Sequence, residues 1–115
     1  MIQNYRKEIK ETLEGIESEI PFRVKMAFPE STNDGNIISY FELTNTATGI
    51  SAVDEISYQL DLWFFDIEKL LTMLSLVDEV MTAKGFLRQF VSPDSMLHDA
   101  GGYLRKSVRY GRRVD

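Results

Sequence analysis

The chain has 115 residues, 43% apolar and 27% charged, with a formal net charge of −5 and no cysteine. Such a chain folds around one core, burying roughly two-thirds of the surface it exposes when unfolded, and is too apolar for intrinsic disorder. Lack of cysteine excludes a disulfide framework, a thiolate metal site and a cysteine nucleophile, and fits a reducing compartment.

No stretch approaches the roughly 18 consecutive apolar residues of a membrane span, and the N-terminal residues lack a signal peptide's apolar run. A soluble product that stays in the cytoplasm where it is made is expected. The charge is uneven: residues 1–85 carry 7 basic and 15 acidic side chains, residues 86–115 carry 6 and 3. An acidic body with a basic tail suits head-to-tail contact between copies ahead of nucleic-acid binding.

From Gln3 to Glu19, Tyr5, Ile9, Leu13, Ile16 and Ile20 recur at steps of three and four, which predicts an amphipathic helix ended by Pro21. Phe22 to Phe28 alternates with period two and predicts a strand. PESTNDGN follows, with Asp34-Gly35 as a tight turn, and Ile37 to Thr44 is the second strand; the two are expected to pair as a hairpin. After the polar segment Asn45 to Ala52, Val53 to Phe65 is the longest strand. Ile56, Tyr58, Leu60, Leu62 and Phe64 face one side of it, and Ser57, Gln59, Asp61, Trp63 and Phe65 the other. Because Trp63, Phe64 and Phe65 cannot share a face, the second face needs cover. Either a partner supplies it, or Phe65 bends into the following helix while the first helix covers Trp63.

Asp66 is an N-cap, Leu70, Leu71, Leu74, Val77 and Met81 form a helical stripe, and Lys84-Gly85 is the stop. Phe86 to Val91 is a short strand, SPDSMLHDAGG a loop, and Tyr103 onward a basic closing strand. The order α-β-β-β-α-β-β predicts an α+β fold: a mainly antiparallel sheet of five strands with two helices on one face, in one domain spanning residues 1–115.

The sequence offers little chemistry. His98 is the sole histidine, flanked only by Asp94 and Asp99, and no metal or cofactor is expected. Serine-nucleophile, phosphate-loop and dinucleotide motifs are missing, and scattered carboxylates do not make an acid-base pair, so no enzyme is expected. Arg105, Lys106, Arg109, Arg112 and Arg113, interleaved with Tyr103 and Tyr110, admit three readings: a charged protein contact, a solvated edge strand, or a nucleic-acid surface.

IPFRV after the first helix, YQLDLWFFD leading into a capped helix, the KGF turn and GYLRKSVRYG occur in an order that resembles small tail-completion or tail-terminator proteins of long-tailed bacteriophages and prophages. The resemblance spans Tyr5 to Tyr110. It implies a non-catalytic virion protein of the tail or neck that forms a ring, commonly of six copies, on the head-proximal end of the tail tube. Its implied partners are itself, the tail tube protein and a head-completion or connector protein; no membrane partner is expected, and nucleic acid ranks behind these. Carried onto this chain, it nominates Tyr58, Asp61 and Trp63 with Tyr103, Arg105, Lys106 and Arg109 as subunit contacts. Asn45 to Ala52 and Ser92 to Gly102 become partner-facing segments. A different head-tail connector component remains an alternative, as does a small regulatory or ligand-binding α+β domain with a pocket beneath Trp63.

Overall fold

The computed structural model describes residues 5–26, 35–47, 54–93, 99–100 and 103–114. Its elements are α1 (Arg6–Glu14), β1 (Arg23–Lys25), β2 (Ile37–Ala47), β3 (Asp54–Phe64), α2 (Ile67–Ala83), β4 (Leu87–Val91), β5 (Asp99–Ala100) and β6 (Tyr103–Val114). The α+β order read from the sequence holds, with a two-residue β5 added before the last strand. No helix among the described residues is long and apolar enough to cross a membrane.

Local chemistry sets both helices. Asp66 accepts from the N–H groups of Glu68 and Lys69 at 2.9 and 3.1 Å, satisfying two donors that the first turn of α2 leaves open. At the other end Gly85 takes φ +86°, and the N–H of Phe86 reaches back to the Met81 carbonyl at 3.1 Å, closing the helix. α1 is shorter than its apolar periodicity predicts. It stops at Gly15, a poor helix former, and the Ser18 hydroxyl takes the Ile20 N–H that a longer helix would have used. Ile16 and Ile20 still pack on the core, so the apolar spacing reports burial beyond the helix itself.

The strands run β1-β2-β3-β6-β4 across the sheet, with β5 pairing β6. Every pairing is antiparallel except β1 with β2, which is parallel. The expected hairpin is therefore corrected. Arg23 donates its N–H to the Asn36 carbonyl at 2.9 Å, and the Asn36 amide donates to the Pro21 carbonyl at 3.2 Å, which fixes the starts of both strands side by side. Residues 26–36 are about as long as the dozen residues a parallel crossover needs. Phe22 and Val24 pack toward the core, but Met26, beyond the end of β1, is 60% exposed.

The β3 alternation is observed as expected. Ile56, Tyr58, Leu60, Leu62 and Phe64 are buried beneath the helices with Ile9, Leu13, Leu70, Met73, Val77 and Met81. β6 lies between β3 and β4, so the solvated-edge reading of the basic strand is overturned: both its backbone edges are paired.

Candidate functional site, the uncovered face of the sheet

The helices cover one face of the sheet, and the odd positions of β3 point to the other. Strand register places Ile37, Ser39 and Phe41 of β2 on that face, together with Ser57, Gln59, Asp61 and Trp63 of β3. Tyr103, Arg105, Ser107, Arg109, Gly111 and Arg113 of β6 join them, with Leu87 and Phe90 of β4 and Arg23 and Lys25 of β1. Although no helix covers them, the four β3 side chains are at most 8% exposed. Their own sheet neighbours roof them.

At one end Trp63, Ile37 and Tyr103 form a second small core. The Trp63 indole N–H donates to Ser39 Oγ at 3.0 Å, its ring meets Tyr103 edge-on, and Tyr103 donates its hydroxyl proton to the Gly35 carbonyl at 2.6 Å. Phe65 stacks on Tyr103 with ring centres 4.6 Å apart and stays 47% exposed. Trp63 is thus covered by its sheet neighbours and not by α1, and Phe65 turns onto the sheet face and not into α2, which corrects the reading that placed both against the helices.

The centre of the face is polar. Asp61 is 0% exposed; its Oδ1 accepts from Gln59 Nε2 at 3.0 Å and from the Ser107 hydroxyl, with Arg105 Nη2 at 3.5 Å. Gln59 Oε1 in turn accepts from Arg109 Nε at 2.9 Å. The two guanidinium groups lie over aromatic rings, Arg105 over Trp63 at 5.1 Å and Arg109 over Phe90 at 5.3 Å. An ion pair and ring contact hold Arg105, and a hydrogen bond and ring contact hold Arg109, against the sheet.

Beyond the polar centre, Leu87 is 73% and Phe90 40% exposed. At Gly111, Gln89 Nε2 lies 2.2 Å from where a Cβ would stand, so the missing side chain lets the Gln89 amide lie across β6. Five cations and two carboxylates, Glu55 and Asp61, occupy the described part of this face. Residues 5–20 and 65–85, which hold the helices, carry nine carboxylates and five cations. The two sides of the molecule differ in sign.

Five of the seven nominated residues, Asp61, Trp63, Tyr103, Arg105 and Arg109, share the uncovered face. The other two are on the helix side: Tyr58 is 0% and Lys106 6% exposed. Burial, helped by the Glu42 charge, pushes the Tyr58 hydroxyl up to about 12. The basic strand is largely neutralised within its own chain. Arg105 faces Asp61, Arg113 reaches Glu55 at 3.6 Å, and Arg112 bonds to Glu8. Gln59, Ser107, Leu87 and Phe90 were not among the nominated residues. Period-two alternation places Gln59 with Asp61 and Ser107 with Arg105 and Arg109, but nothing local signals Leu87 or Phe90.

Among the described residues there is no cluster of three metal-ligating side chains. His98 lies outside them, as do residues 48–52, 94–98 and 101–102 of the segments nominated as partner-facing. No protein-family model and no curated protein matches the chain.

Proposed function

We propose that this chain is a non-enzymatic structural protein of a long-tailed phage or prophage. It caps the head-proximal end of the tail tube as a ring and joins the tube to the head. The observation that carries this reading is the uncovered sheet face, a broad surface with an apolar rim, arginines held over aromatic rings and, among the described residues, no convergent catalytic groups. Such a composition, aromatic and arginine-rich, is typical of protein contact surfaces. The order of sequence strings supplies the resemblance to tail-completion proteins. A ligand pocket beneath Trp63 is disfavoured, since Ser39, Tyr103 and Arg105 already surround the indole.

The function is tested by adding purified protein to isolated tail tubes and imaging by negative stain. Closed rings at one tube end, and tube polymerisation halted on addition, are the expected results. Bare tube ends at saturating protein would refute the reading.

A further inference from the structure

The exposed side of α2 carries a patch that complements the uncovered sheet face. Ile67 and Leu71, one turn apart, are 38% and 43% exposed, with Glu68 and Glu79 on the same outward side. The sheet face offers Leu87 and Phe90 beside Arg109. Each patch thus pairs an apolar couple with charge, and the charges are opposite. The two patches stand on opposite sides of one molecule, because the sheet separates them.

We infer that the uncovered sheet face around Leu87, Phe90 and Arg109 docks the outward side of α2 from a second copy of this chain. Matching a different patch on each copy makes the contact heterologous, so it propagates into a ring or a filament and does not stop at a symmetric dimer. Arg109 is held over Phe90 and bonded to Gln59 before docking, so little side-chain freedom remains to be lost when a carboxylate of the neighbour arrives. Opposite charge across the contact selects the orientation and disfavours sheet-on-sheet or helix-on-helix pairing, where like patches meet. This inference rests on the ring reading only in taking the partner to be another copy.

Sedimentation velocity on three proteins tests it. The wild-type chain is expected to form species larger than a dimer, while Leu87→Glu and Leu71→Glu, both at exposed positions, each weaken self-association roughly 30-fold or more. Unchanged thermal melts establish that the two variants fold. An equimolar mixture of the two variants is expected to give a one-to-one dimer and nothing larger, since each retains only one working patch. A wild-type monomer at about 1 mM, a variant that assembles like wild type, or a mixture that stays monomeric would each overturn the inference. So would retention of a monomeric wild-type chain on DNA that Arg109→Glu abolishes, which would assign the face to nucleic acid. Tubes capped by Leu71→Glu would defeat this interface and leave the tube function standing; assembly as expected without tube capping would do the reverse.

Discussion

Arg112 of β6 and Glu8 of α1, 104 positions apart, meet through two parallel hydrogen bonds of 2.7 Å. The same guanidinium donates to the Lys84 carbonyl at 2.9 Å and lies 4.3 Å over the Phe86 ring and 5.7 Å over Tyr5. One side chain thus joins α1, the C-terminal end of α2 and the last strand.

Arg112→Ala should therefore destabilise the fold by about 1–3 kcal/mol through lost charge-assisted bonds and lost ring contact. Urea denaturation measures it. The Arg112 guanidinium also holds the Glu8 carboxyl below its ordinary value of 4.5. A depressed carboxyl contributes stability that is present above the unfolded value and lost as pH falls through the folded one. Stability should thus decline as pH drops below about 4.5, and Glu8→Gln should flatten that part of the decline. An unchanged acid limb in Glu8→Gln would contradict the assignment.

Asp61 should tolerate an amide better than truncation. Asp61→Ala leaves Gln59, Ser107 and Arg105 around an empty acceptor position in a fully buried site, at an expected cost of about 2–4 kcal/mol. Asp61→Asn keeps an acceptor oxygen and should cost clearly less. Equal losses in the two variants would show that the network does not depend on the acceptor. Charge reversal at Arg105, beside this carboxylate, should lower stability as well as assembly, so it is a poor probe of the surface alone.

The two glycines should respond differently. Gly85→Ala forces a side chain into a left-handed conformation and should cost about 1–2 kcal/mol. Gly111→Ala meets only the end of the flexible Gln89 side chain, which can swing away, and should cost less. Thermal melts of the pair decide the order.

At high pH the buried phenols govern stability. Tyr58 is pushed up to about 12 by burial, and Tyr110 is raised further by burial and by its 2.7 Å bond to Asp78. A phenol with a raised folded value contributes stability that is complete below pH 10 and lost as pH rises through that value. Loss of structure should begin above about pH 10, and Tyr58→Phe should shift the alkaline midpoint upward. Ultraviolet titration should find both groups silent where exposed phenols ionise.

Much of this fold could be read from local chemistry. The Asp66 cap, the Gly85 stop and the β3 faces each depend on residues within a few positions of one another, and sequence spacing reports such relations directly. Period two shows which way side chains point but carries no record of strand direction or neighbours. Hence the parallel pairing of β1 with β2 and the interior place of β6 appear only in the structure. The Asp61 network was hidden for the same reason: Ser107 is 46 residues from Asp61, and Arg109 is 50 from Gln59. The basic character of β6 was legible, but its neutralisation by Asp61, Glu55 and Glu8 was not. That neutralisation moves the candidate surface from the whole strand to Arg109 and the apolar rim beside it.

The most direct test of the central claim, that the uncovered sheet face is the working surface, compares wild type with Phe90→Glu on isolated tail tubes. Both proteins should melt at similar temperatures, because Phe90 is 40% exposed. Negative-stain images should then show wild type closing the tube ends and the variant leaving them bare. A variant that caps tubes as well as wild type would contradict the claim.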